Sequence, residues 1–65
     1  MKVYFNGQII TTQTNNLKEL LNQQKIDLNA IATAVNGTFI PKNKYDKQIL
    51  EEGYQIEVLS PMQGG

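Results

Sequence analysis

A chain of 65 residues with six lysines, no arginine and six acidic side chains carries no net formal charge and has room for one small domain, which excludes a multidomain enzyme. The absence of cysteine and histidine excludes disulfide frameworks, thiolate metal sites, cysteine nucleophiles and imidazole bases. With neither arginine nor tryptophan, and no apolar run near the ~20 residues of a membrane span, the expectation is no nucleic-acid partner, no membrane partner and a cytoplasmic location.

Val3 and Phe5 alternate with Lys2, Tyr4 and Asn6, the period-two pattern of a half-buried strand. Asn6-Gly7 supplies the positive-φ pair of a tight hairpin, and the return run from Gln8 to Gln13 is rich in β-branched residues. Thr14, Asn15 and Asn16 break that strand. Asn16 stands three residues before Glu19, which predicts a reciprocal capping box at the start of a helix. Leu17, Leu20 and Leu21 then form one apolar stripe, and the spacing predicts a helix over Leu17 to Lys25.

Ile26 to Asn29 reads as the connection back. Ala30 to Val35, Asn36-Gly37 and Thr38 to Ile40 predict a second hairpin, stopped by Pro41. Between Pro41 and Gly53 an irregular crossover is expected, with one helical turn near residues 46–50 and with Ile49 and Leu50 tucked under the sheet. Lys42, Lys44 and Lys47 lie among Asp46, Glu51 and Glu52, so this stretch reads as a solvated face of mixed sign. Tyr54 to Leu59 alternates again, with Ile56 and Val58 inward, as a last strand.

One helix across one sheet face is the smallest two-layer arrangement that hides a thin core. A right-handed crossover sets the first and last strands side by side and parallel in the middle of the sheet. The expected fold is therefore α+β: a ubiquitin-like β-grasp, its mixed sheet of four to five strands crossed by one helix on one face. It spans residues 1–59, followed by a flexible tail at residues 60–65. The other sheet face is uncovered, and strand parity turns Tyr4 and Leu59 outward on neighbouring strands there, as candidate partner-face residues.

The tail carries the chemistry. A terminal carboxylate is resonance-stabilised and reacts only after its oxygen becomes a leaving group, for example by adenylation with ATP. Two residues without Cβ can thread a channel that any side chain would block. Pro61, Met62, Gln63 and Gly64 are thus expected to thread into partner active sites, with Gly65 as the reactive end; an expression scar is the rival explanation. No catalytic residue is expected. Glu51 and Glu52 are adjacent and point apart, and Glu57 has no second carboxylate at a fixed distance.

Three segments, Val35-Asn36-Gly37-Thr38-Phe39-Ile40-Pro41-Lys42, Leu50-Glu51-Glu52-Gly53-Tyr54-Gln55-Ile56-Glu57-Val58 and Pro61-Met62-Gln63-Gly64-Gly65, resemble the sulfur-carrier protein of thiamin biosynthesis, the ThiS family. Val3-Tyr4-Phe5-Asn6-Gly7 and the leucines Leu17, Leu20 and Leu21 extend the resemblance over nearly the whole chain. It implies a non-enzymatic carrier that binds no cofactor and is a monomer when free. By that resemblance a ubiquitin-activating-like adenylating enzyme uses ATP and magnesium to make an acyl-adenylate at Gly65. Sulfur from a cysteine-desulfurase persulfide then turns Gly65 into 1-thioglycine, a thiocarboxylate that thiazole synthase consumes. The family often has arginine, tryptophan and aspartate where this chain has Lys42, Tyr45 and Tyr54. Related carriers for molybdopterin synthesis, transfer-RNA thiolation or protein conjugation are the alternatives, as is a non-covalent β-grasp binding module. Deleting Gly64 and Gly65 separates that last reading from every carrier reading.

Overall fold

The computed structural model describes residues 1–60, apart from the side chain of Ala30. Strands β1 (Lys2–Phe5) and β2 (Gln8–Thr11) form an antiparallel hairpin in the register Phe5↔Gln8 to Lys2↔Thr11. Strands β3 (Ala32–Val35) and β4 (Thr38–Ile40) form a second, in the register Val35↔Thr38 to Thr33↔Ile40. Both turns are Asn-Gly pairs in the left-handed region: Asn6 at φ 49° and Gly7 at 84°, Asn36 at 52° and Gly37 at 84°. Two such residues in succession make the primed turn whose twist matches that of the flanking strands.

The last strand, β5 (Gln55–Leu59), joins the two hairpins into one sheet of order β2-β1-β5-β3-β4. It lies parallel to β1 and antiparallel to β3. The expected central pairing of the first and last strands is therefore present, and the sheet has five strands.

Helix α1 (Leu17–Gln23) buries Leu17, Leu20 and Leu21 completely, each at 0% exposure. It covers the sheet face that carries Val3, Val35 and Ile56. Its end comes earlier than the leucine spacing suggests, because Lys25 takes φ 60°. The Ile26 N–H donates to the Leu21 carbonyl and the Lys25 N–H to the Asn22 carbonyl, a left-handed stop that satisfies the last carbonyls. The start is half of the expected capping box. Asn16 Oδ1 accepts from the Glu19 N–H at 3.1 Å, but the Glu19 carboxylate accepts from the Thr14 hydroxyl at 2.6 Å instead of reaching the Asn16 N–H. Thr14 stands between the two partners, and its Oγ1 accepts the Asn16 N–H itself.

The crossover departs most from expectation. Its helical turn is a 3₁₀ segment over Lys42–Lys47, entered from Pro41, and not a turn over residues 46–50. This position lets Tyr45, 2% exposed, close the core beside Leu50 and the helix. Residues after it run extended, and Ile49 forms an isolated antiparallel bridge with Asn16. Neighbouring side chains on an extended backbone point to opposite sides. Leu50 is accordingly buried, whereas Ile49, expected to tuck in with it, is 52% exposed.

One buried group in this core is unmatched. Thr33 on β3 is 1% exposed, and its hydroxyl has no hydrogen-bond partner among the described residues. Replacing a buried unpaired hydroxyl by a methyl group removes its desolvation cost. Thr33→Val is expected to raise stability by about 1 kcal/mol, read as a higher midpoint in urea denaturation at unchanged slope.

Candidate functional site

The sheet face opposite α1 carries no covering element among the described residues. Alternation along the strands sends Ile9 of β2, Tyr4 of β1, Gln55, Glu57 and Leu59 of β5, Ala32 and Ala34 of β3, and Phe39 of β4 to this side. Four of them are large apolar side chains left in contact with solvent: Tyr4, Ile9, Phe39 and Leu59.

The registers place these groups. Leu59 stands across from Ala32, Glu57 across from Ala34, and Ala34 across from Phe39. Two alanines between Phe39 and Leu59 leave a depression on the sheet, bordered at one end by the Asn6-Gly7 turn and by Glu57. Phe39 is 64% exposed and Leu59 71%, so its walls are the most water-exposed apolar groups on the face. Among the described residues, Glu57 is the only ionisable side chain that lines it. An apolar, flat-floored hollow suits the side chains of a docked protein.

Tyr4 and Leu59, expected beside each other, share the face but not the patch. Tyr4 is in register with Gln55, and Leu59 lies four residues further along β5, about 13 Å away at strand spacing. Tyr4 packs its row with Ile9 instead. Phe39, Ala32 and Ala34, which complete the Leu59 hollow, are not selected by parity within one strand, because their adjacency is fixed by pairing across three strands. The other candidates, Pro61, Met62, Gln63, Gly64 and Gly65, lie outside the described residues.

The three positions at which the chain differs from the pattern it resembles separate cleanly. Tyr45 is a core residue, so its aromatic body fills space under α1. Tyr54 is half-buried and packs against the same core, where an aspartate would have to be solvated. Lys42 is exposed, and its ammonium donates to the Asn29 side-chain oxygen, tying the 3₁₀ segment at Leu28–Ala30 to the one at Lys42–Lys47. Glu52 also has structural work, since its carboxylate accepts from the Lys2 backbone N–H at 2.9 Å. Among the described residues no helix is long and apolar enough to cross a membrane.

Comparison with known proteins concerns the chain as a whole. The sequence profile of the ThiS family matches residues 3–65. The crystal structure of a thiamine biosynthesis protein (ThiS) from Geobacter metallireducens superposes with a TM-score of 0.85 at 26% identity, covering 100% of both chains. A solution structure of a thiamine biosynthesis protein from the same organism gives a TM-score of 0.79 at 26% identity, over 100% of this chain and 88% of that one. No curated protein matches the chain.

Proposed function

Since this chain belongs to the ThiS family, we propose that it is a sulfur carrier for thiamin biosynthesis, non-enzymatic, cytoplasmic and monomeric when free. The observation that carries the reading is the family match itself, which runs from Val3 through Gly64 and Gly65. The likeness to two thiamine biosynthesis proteins over the whole of this chain supports it.

The chemistry assigns the carrier a carboxylate at Gly65 and its partners everything else. An adenylating enzyme, using ATP and magnesium, joins that carboxylate to AMP and releases pyrophosphate. The terminal sulfur of a persulfide made by a cysteine desulfurase attacks the acyl carbon and AMP departs. A thiol then cleaves the resulting acyl disulfide, taking its other sulfur into a new disulfide and leaving the thiocarboxylate at Gly65. Thiazole synthase consumes that sulfur. The carrier supplies residues 61–65 to both active sites, and a chain without cysteine has no thiol of its own to attack the acyl-adenylate.

A tail of five residues entering a closed site pays ordering entropy, so the folded body must supply binding energy as well. The Phe39–Leu59 hollow is the apolar surface suited to that task. Incubation with an activating enzyme, ATP, magnesium and a persulfide donor is expected to add to Gly65 the mass difference between sulfur and oxygen. An unchanged mass, beside a carrier that does convert, overturns the reading. Rescue of a thiamin auxotroph but not of a molybdopterin auxotroph distinguishes this carrier from its relatives.

The docking role has its own test. Phe39→Asp or Leu59→Asp is expected to weaken binding to the activating enzyme by about 30-fold or more, the effect of losing a central apolar anchor. Ile49→Asp, also exposed but off the sheet, is the control and is expected to bind as the native chain does. Titration by calorimetry checks all three.

A further inference from the structure

The two Asn-Gly turns do more than reverse the chain. Each asparagine side chain bonds to the backbone of β5, at opposite ends of that strand. Asn36 Oδ1 accepts from the Gln55 N–H at 2.9 Å, and the Asn36 N–H donates to the Gln55 carbonyl at 2.7 Å, at the start of β5. Asn6 Oδ1 accepts from the Val58 N–H at 2.8 Å, and the Asn6 N–H donates to the Ile56 carbonyl at 2.9 Å, near its end.

The second pattern is the parallel ladder carried one rung beyond its strand. With Tyr4 and Phe5 in register with Gln55 and Ile56, Asn6 falls opposite Glu57. In a parallel ladder the residue opposite Glu57 donates to residue 56 and accepts from residue 58. Asn6 donates through its own N–H, but at φ 49° its backbone has already left the strand for the turn. The side-chain amide oxygen takes the place of the backbone carbonyl. On its other edge β5 stays paired with β3 as far as Leu59↔Ala32. Asn6 thus fixes the second edge of β5 two residues before Ser60, where the described backbone ends.

We propose that Asn6 is a positioning residue: by holding Val58 through its side chain it fixes the end of β5, the last described element that the activating enzyme grips before the reacting tail. This rests on the carrier reading. The Asn6-Gly7 pair satisfies turn geometry alone in the sequence, and the bond to a residue 52 positions away gives the asparagine a second function.

The matched turn makes the test. Asn6→Gly and Asn36→Gly both preserve a left-handed turn, which glycine adopts freely, and each deletes one side-chain acceptor from β5. Amide hydrogen exchange on the full chain is expected to speed up at Val58 in Asn6→Gly and at Gln55 in Asn36→Gly. In steady-state adenylation, Asn6→Gly is expected to lower kcat about tenfold; because Asn6 also borders the Phe39–Leu59 hollow, kcat at saturating carrier and not KM reads the positioning role. Asn36→Gly is expected to retain native kcat, and Asn6→Asp, which keeps an acceptor oxygen, to recover most of it. Equal kcat losses in the two glycine variants, no loss in Asn6→Gly, or unaltered Val58 exchange overturns the proposal. A native chain that accepts no adenylate overturns the carrier reading, and the positioning role with it.

Discussion

On the carrier reading, removing Gly64 and Gly65 is expected to abolish adenylation while leaving the folded body as stable as before. The shortened chain still ends in a carboxylate, now on Gln63, but that group is withdrawn by two residues, about 7 Å of extended backbone. Because a misplacement of about 1 Å at a reacting centre already costs roughly a hundredfold, ATP-pyrophosphate exchange with the activating enzyme is expected to fall below detection. The thermal midpoint is expected to stay within about 1 °C, since the buried core residues among those described run from Val3 to Ile56, well before the deleted pair in sequence. Lengthening the tail again with Gly-Gly is expected to restore activity, and Ala-Ala to restore less, because on the proposed reading its methyl groups would have to pass a channel fitted to glycine. Full exchange with the deleted chain would show that the two glycines are dispensable and that the reactive carboxylate need not stand at position 65.

Tyr45→Ala is expected to unfold the domain at physiological temperature. Its ring is 2% exposed and packs among the leucines of α1 and Leu50. Truncating a buried aromatic costs about 3–5 kcal/mol in transfer energy and cavity formation. A domain of this length has roughly 3–10 kcal/mol of stability in all, so the loss consumes most of it. In circular dichroism melts the midpoint is expected to drop by about 15 °C or more. Tyr45→Phe keeps the ring and is expected to lie within about 1 kcal/mol of the native chain. A native-like melt for Tyr45→Ala would show that the 3₁₀ segment can collapse into the space and that the aromatic body is dispensable.

The parts of this fold that were legible in the sequence are those fixed by short-range rules. Asn6-Gly7 and Asn36-Gly37 demanded positive φ and obtained it, and the leucine stripe of α1 is wholly buried. Strand parity placed Val3, Ile56 and Val58 toward the core and Tyr4 and Leu59 away from it. Tyr45 was obscured because it sits in a polar run, Lys42 to Lys47, with no apolar period to mark an inward face. Ile49 misled for the complementary reason: it is as apolar as Leu50, but the extended bridge to Asn16 turns the two in opposite directions. In the candidate site, parity supplied the face and not the patch. Which apolar groups meet there depends on registers between strands tens of residues apart, as Phe39 and Leu59 illustrate across Ala34 and Ala32. The Asn6–Val58 bond is hidden in the same way, since a turn signal explains the asparagine completely at the local level.

The central position of β5 also governs when the molecule comes into being. Both hairpins leave the ribosome before the strand that unites them, and neither shares a rung with the other. A two-stranded ribbon by itself is marginal in water. The two hairpins are therefore expected to stay unjoined until β5 is made, with Ile56 the residue that pairs to both of them, with Phe5 on one side and Val35 on the other. A product cut short before Gln55 gains no common sheet, and a degradative protease, not a biosynthetic enzyme, is its expected recipient.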